Sequence, residues 1–499
     1  MIASPPQDRV PSGVGRLAAA LWLFVPVALG VALLCSVRYL PGQDLPNHAA
    51  IADIVRRLLA GDPAVAQHFD LRLFDFSYRL PYLLLVPLAS LFGAAAAVRV
   101  VLVAMWVAYA CACRALIKAL LLPAPAVVLL LPWFFGIQFI AGFLPSLMAV
   151  VLLLWSVVAL AAATTTPRPG PLVAATVLGL VLGTAPVVLS LLWAASVVAY
   201  AWGGDRARWR KAALVFGVGM LPALGFTATR LFCRAAEEPN VLVPVYKHPF
   251  RFYAKAFLAN LDWPLGTLSR AALVLFIVAV LVHFVVRRQR DAVADRALPP
   301  PVRFVAAALG LWLLCLLLIP ARTRSTWGIN LRAVEPILVL GAALAANHLQ
   351  SLTAAVGRGL RLALFIVVGL DGVALARGFA HVDQALRDIE PICAALPQAA
   401  TLKVVRRFHD VAGAAWSFAY HAHGYCVLDR LAYDDGVFPD RHMPIVHTPP
   451  PALGRSPEGA LGAFDFLLLD TEANPTPPPA DGVLVTESGT WRLYRRRDP

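Results

Sequence analysis

Charge is scarce in this chain. Only 14% of its 499 residues are Asp, Glu, Lys or Arg, against 60% that are hydrophobic, and mean hydropathy stands at +0.72. So few charges cannot cover the surface of a water-soluble protein of this size, and a soluble enzyme is excluded. Acids are scarcer still, 29 against 43 basic residues. The positive excess is not gathered on one amphipathic face, which argues against nucleic acid as a partner. Clusters such as Asp205-Arg206-Ala207-Arg208-Trp209-Arg210-Lys211 and Arg287-Arg288-Gln289-Arg290 fall between apolar runs, as cytoplasmic loops do under the positive-inside rule.

Cysteine is also sparse, and none of the seven shows the spacing of a metal site. Cys111 and Cys113 sit inside an apolar run and read as packing residues. Cys393 and Cys426 lie in the polar C-terminal part, where a disulfide is possible if that part faces an oxidising compartment. The apolar stretch after Arg9 and Arg16 lacks a small-residue cleavage site, so Leu17 to Cys35 reads as a retained first span.

What the chain has in quantity is apolar sequence. Runs recur from Leu17 to Phe379, many close to the roughly 20 residues that cross ~30 Å of hydrocarbon. After Leu17–Cys35 the expected spans are Ala94–Cys113, Ala126–Ile140, Ser146–Ala162, Leu172–Gly183, Val187–Trp202, Ala212–Phe232, Ala271–Val286, Phe304–Ile319, Ala333–Leu349 and Leu360–Phe379. Thr184-Ala185-Pro186 splits one long run into two short helices, because Pro removes a backbone donor. Leu80–Phe92 is apolar but short and carries Pro81 and Pro87, so it reads as an interfacial helix.

The expected fold is therefore an all-α polytopic membrane protein with about 11 transmembrane helices and a small C-terminal α/β extracytoplasmic domain. Residues 1–379 form the transmembrane domain, with an outer loop at 38–78 and the interfacial helix at 80–92, and residues 380–499 form the soluble domain. With a cytoplasmic N-terminus, the basic loops near Arg208 and Arg288 stay inside, while loop 38–78 and the terminal domain emerge together outside. In that domain Phe464 to Leu469 reads as a strand, and Gly482–Val485 with Thr490–Arg495 as a closing hairpin.

Asp44 lies just past the first span, in Pro41-Gly42-Gln43-Asp44-Leu45-Pro46-Asn47-His48. A carboxylate at a membrane surface serves as general base toward a hydroxyl or amine, or as ligand of a divalent metal. Equally, it caps the helix that follows. Glu335 stands at a costly place for a charge and is a functional candidate. His421 and His423 alternate, with His442 and His447 downstream; these are candidates for zinc, or simply surface histidines.

The order of elements resembles the GT-C superfamily of polyprenyl-phosphate-sugar-dependent glycosyltransferases, which includes the protein mannosyltransferase and aminoarabinose transferase families. Asp44 followed by Ile51 to Asp62 is similar to that family's first outer loop. Leu80-Pro81-Tyr82-Leu83-Leu84-Leu85-Val86-Pro87-Leu88-Ala89-Ser90-Leu91-Phe92-Gly93, then Arg99, is similar to its Pro-rich apolar segment and the Arg after it. Gly179 to Pro186, Asn330-Leu331-Arg332-Ala333-Val334-Glu335-Pro336 and the terminal Val483–Arg497 stretch follow in the family's order. Two departures stand out: Leu45 replaces the second acid of the first loop, and Gly142-Phe143-Leu144-Pro145-Ser146 lacks the Asp that many members carry.

The resemblance implies a glycosyltransferase in a bacterial inner membrane, its terminal domain extracytoplasmic. Its partners would be a polyprenyl-phosphate-sugar donor, a lipid, glycan or protein acceptor, and membrane lipids. Asp44 would be catalytic, alone or assisted by His48 or Asp53, with a divalent metal at Asp44 the one cofactor to consider. Arg79, Arg99, Arg230, Lys247, Arg251, Arg322, Arg324 and Arg332 would bind the anionic lipid phosphate, unless they merely snorkel to the interface. Two other readings stand beside it. One is a transporter or flippase for lipid-linked glycan, although no internal repeat is visible; the other is a binding or assembly protein that kept the fold without its acids.

Overall fold

The computed structural model describes residues 13–71, 79–166, 168–202, 204–225, 298–319, 330–349, 354–398, 400–405, 422–430, 464–470 and 482–497, with shorter pieces at 244–245, 274, 277–278, 322–323, 433–434, 445–447 and 479. Hydrocarbon offers the backbone no hydrogen-bond partner, so apolar runs become helices wherever nothing interrupts the ladder. In chain order these are α1 (Gly13–Ser36), the polar-faced α2 (Leu45–Leu59), a single turn α3 (Pro63–Ala66), α4 (Arg79–Phe92) and α5 (Ala94–Ala119). Among the described residues four helices, Ala94–Ala119, Leu144–Ala163, Pro300–Leu318 and Leu362–Ala395, are long and apolar enough to cross a membrane. Shorter apolar helices include Ala20–Ser36, Leu80–Phe92, Gly170–Leu182, Val187–Ala201 and Val334–His348. The expected spans at Ala212–Phe232 and Ala271–Val286 lie partly or mostly outside the described residues.

One expected span is not a continuous helix. Ala126–Ile140 folds as two 3₁₀ turns, Ala124–Leu129 and Leu131–Phe135, followed by the single turn α6 (Ile137–Ile140). Pro125 and Pro132 remove backbone donors early in each turn, and tight 3₁₀ geometry is what remains over such short lengths. The irregular backbone is tolerated because it is buried inside protein. Tyr109 donates its hydroxyl to the Leu130 carbonyl at 2.8 Å, and Trp133 Nε1 donates to Leu129 at 3.1 Å. Phe134, Phe135 and Phe139 pack with Trp106, Tyr109 and Phe379 into one aromatic cluster.

α7 (Leu144–Ala163) follows, then α8 (Gly170–Leu182) and α9 (Val187–Ala201), separated at Thr184-Ala185-Pro186 as the proline requires. Ser190 bridges the break by donating its hydroxyl to the Leu182 carbonyl at 2.7 Å. After α10 (Arg206–Gly219) come α11 (Pro300–Leu318), α12 (Val334–Leu349) and α13 (Ala354–Leu386), the last running unbroken past residue 380. An apolar cavity of about 1120 Å³ lies between α1, α5 and α13, lined by Trp22, Trp106 and Phe365 among others.

The C-terminal part holds α14 (Ile389–Ala395), α15 (Gly424–Arg430) and a five-stranded mixed sheet in the order β5 (Tyr433–Asp434), β4 (Thr401–Val405), β7 (Phe466–Asp470), β9 (Trp491–Arg496), β8 (Gly482–Ser488). β4 runs parallel to β5 and β7, while β8 and β9 form the expected hairpin, turning at Gly489. Cys393 on α14 and Cys426 on α15 form a disulfide.

The first loop and this C-terminal part are joined. Tyr39 donates its backbone N–H to Asp383 Oδ1 at 2.6 Å, and Arg38 pairs with Glu390 at 3.0 Å. Tyr39 also meets Tyr425 edge to face at 4.6 Å. Gly424 lies so close to Pro46 that a Cβ would sit 2.9 Å from its carbonyl carbon. Farther along, β1 (Phe69–Leu71) pairs antiparallel with β6 (Ile445–His447). The two large polar elements therefore share one end of the molecule.

Candidate functional site

Asp44 sits where α2 begins, directly against the turn that precedes α7. Gln43 donates its N–H to the Ile140 carbonyl at 2.9 Å and Asp44 donates to Ala141 at 3.2 Å. The approach is close enough to demand glycine. Gly142 has φ +70°, and a Cβ there would lie 2.5 Å from the Asp44 nitrogen. The 140–142 turn thus serves as the backbone seat of Asp44.

Asp44 precedes α2 in the cap position, yet its side chain makes no capping hydrogen bond. Pro46 contributes to this, since the first helical turn has one amide fewer to offer. The helix-capping reading of Asp44 therefore fails on geometry.

His48, one turn into α2, is buried with Nδ1 2.7 Å from the Tyr82 hydroxyl on α4. Tyr82 in turn lies within Coulombic reach of the Asp44 carboxylate. Burial strips water from the imidazole and lowers its pKa from the ordinary 6.5 to about 4, with a hydrogen bond to the Gly142 backbone opposing the shift in part. His48 is a neutral imidazole at neutral pH. Asp53 lies nine residues beyond Asp44, about 13 Å along the helix, and pairs with Arg56 at 2.7 Å.

The basic candidates divide. Arg332 is buried in the 3₁₀ turn Asn330–Ala333 ahead of α12, with its guanidinium 5.1 Å from the Phe143 ring centroid. It therefore flanks the same turn that seats Asp44. Arg99 instead donates from Nη2 to the carbonyls of Val37 and Arg38 at 2.7 and 2.8 Å, closing the end of α1. Arg79 opens α4, and Arg322 lies in β3 (Arg322–Thr323), paired with β2 (Pro244–Val245). The side chains of Arg79 and Arg322, and Arg230, Lys247, Arg251 and Arg324 altogether, lie outside the described residues, as do His421 and His442. His423 is fully buried at the start of α15, so it is not a surface histidine.

Sequence reading passed over Gln138. It is completely buried, donating its N–H to Glu335 Oε1 and its Nε2 to Glu335 Oε2, both at 2.7 Å, and to the Arg332 carbonyl at 2.9 Å. The available signal was a lone amide in the apolar stretch Phe134–Ile140. Tyr82 and Gly142 carried no signal beyond their residue type.

As for a divalent metal, the described donors include one carboxylate, Asp44, with His48 Nδ1 engaged at Tyr82. Among the described residues no group of three or more His, Cys, Asp or Glu lies together as a metal site would need. Among the described residues this donor set offers fewer ligands than a dedicated divalent centre uses.

No protein-family model and no curated protein sequence matches the chain. The architecture, with its apolar helices, its polar loop after the first helix and its joined terminal sheet, is shared along nearly the whole chain with a solved membrane-protein structure. The chain is similar to ArnT from Cupriavidus metallidurans, whose crystal structure is bound to undecaprenyl phosphate. The TM-score is 0.50 with 12% sequence identity over 96% of this chain and 97% of that one.

Proposed function

We propose that the chain is an integral membrane glycosyltransferase with about eleven crossings, moving a sugar from a polyprenyl-phosphate-sugar donor to a lipid, glycan or protein acceptor. It would work at the outer face of a bacterial inner membrane. The disulfide between Cys393 and Cys426 suits a terminal domain on the oxidising side. One observation carries the reading. Asp44 is held by its main chain at the junction of two loops, its carboxylate not spent on the helix it precedes.

In the proposed reaction Asp44 takes the proton from the acceptor hydroxyl or amine as that atom bonds to the anomeric carbon. The bond from that carbon to the phosphate oxygen breaks, and polyprenyl phosphate leaves with the electron pair. Arg332, held out of water beside the same turn, neutralises the leaving phosphate. Arg79, Lys247, Arg251, Arg322 and Arg324 are assigned to the same anion. Arg99 contributes through the Val37 and Arg38 carbonyls, and His48 assists as a neutral group, with Asp53 in the lesser part. No step is routed through a metal.

The test is sugar transfer from a mixed radiolabelled polyprenyl-phosphate-sugar pool in membranes containing the protein, wild type against Asp44→Asn. Transfer that disappears in the variant while expression holds supports the proposal. A binding or assembly role without catalysis is the second reading, favoured by Leu45, which is 3% exposed in the apolar core where the family's second acid would stand. Absent transfer selects that reading, and transfer indifferent to the substitution overturns the role given to Asp44.

A further inference from the structure

Glu335 is a buried acid that the proposed reaction does not use. It lies in the first turn of α12 and is 2% exposed, where an ionised carboxylate is costly unless well hydrogen-bonded. The positive end of the helix dipole favours an acid there. That does not explain why both oxygens grip one residue 197 positions earlier, Oε1 taking the Gln138 N–H and Oε2 the Gln138 side-chain amide. The contact is closely built. A Cβ on Gly136 would come within 2.8 Å of Glu335 Oε1 and 3.0 Å of the Trp133 carbonyl.

The segment that begins at this grip ends at Asp44. Its Ile140 and Ala141 carbonyls receive Gln43 and Asp44, Gly142 backs onto the Asp44 main chain, and Phe143 carries the Arg332 guanidinium. Gln138 Nε2 also holds the Arg332 carbonyl. We propose that Glu335 is a positioning residue that acts through Gln138 to fasten the 136–143 turn to α12, so that Asp44 and Arg332 are held to one rigid piece. The proposal rests on the reading of Asp44 given above. Such bidentate, desolvated bonds set geometry strongly, and a misplacement of about 1 Å at a reacting group costs up to ~100-fold in rate.

The experiment has two arms on the full-length protein in detergent, with Glu335→Gln and, because that variant risks misfolding, Gln138→Met, which keeps the backbone donation. The first arm is hydrogen exchange of the Gln43 and Asp44 amides. Both variants are expected to exchange there about tenfold faster or more, with the α2 ladder and melting temperature close to wild type. Unchanged exchange in both variants overturns the inference. The second arm is sugar transfer, where kcat is expected to fall roughly 10- to 100-fold while KM for the donor stays within about threefold. Loosened amides with unchanged kcat also overturn it. If wild type itself transfers nothing, the function reading fails, and the positioning of Asp44 is judged on exchange alone.

Discussion

The two ends of the first loop use aspartate in opposite ways. At the far end Asp53 pairs with Arg56 at 2.7 Å, and Asp62 pairs with Arg57 at 2.8 Å while its other oxygen caps α3 through the Ala64 N–H. The Arg57 guanidinium, hydrogen-bonded to Asp62, holds that carboxyl below its ordinary pKa. These acids are neutralised within their own loop by residues three to five positions away. At the near end the anchoring comes from the main chain, with Gln43 and Asp44 bonded to carbonyls of a segment nearly a hundred residues on. At the far end each acid is satisfied by a nearby arginine, whereas the Asp44 main chain is bonded to a distant turn.

Two glycines sharpen the contrast. Gly142→Ala should have the largest effect, because it combines φ +70° with a Cβ 2.5 Å from the Asp44 nitrogen. A loss of about 3 kcal/mol or more in thermal unfolding is expected, with transfer abolished. Gly61→Ala at the far end has φ +75° but nothing within 4 Å. It should cost only about 1 kcal/mol and leave transfer intact. Equal costs would show that the Asp44 seat is not a packed junction.

Between those two effects lies a pH dependence at the near end. His48 titrates near 4 in the folded protein against 6.5 unfolded, so below 6.5 the unfolded chain binds the extra proton first. Its contribution is fully present above pH 6.5 and is lost as pH falls toward 4, amounting to up to about 3 kcal/mol. Melting temperature against pH should fall over that window in wild type and fall less in His48→Leu. The smallest effect belongs to the far end: Asp53→Asn should change stability by less than about 1 kcal/mol and lower transfer by less than tenfold. A complete loss of transfer there would break the comparison and make Asp53 the essential acid.

Much of the helical frame is legible in the chain because it follows from a local quantity. Leu144–Ala163 and Pro300–Leu318 are apolar throughout, and hydrocarbon leaves such runs no structure but a helix. The helix at Arg79–Phe92, the Pro186 break and the terminal hairpin are likewise marked by residues at the place where the structure turns. The 3₁₀ geometry after Pro123 was not legible from apolarity alone, which counts hydrophobic residues and not the donors missing at Pro125 and Pro132.

The site is half legible. Asp44 is visible as an acid just past a span, and Cys393 and Cys426 as a pair confined to the polar end of the chain. Arg99 looked like any other interfacial cation, and its engagement with two carbonyls 61 and 62 residues earlier has no local signature.

What the amino-acid sequence determined by itself is where apolar runs recur and where they stop: they extend up to Phe379 and give way to polar sequence in the first loop and the terminal part. What only the tertiary structure decided is which distant groups meet. The grip of Glu335 on Gln138, the seat of Asp44 on the 136–143 turn and the docking of Tyr39 on Asp383 all join residues far apart in sequence. A polar group buried in an apolar bundle must find its partner wherever the packing of helices brings one within 3 Å, and no neighbour in the chain announces it.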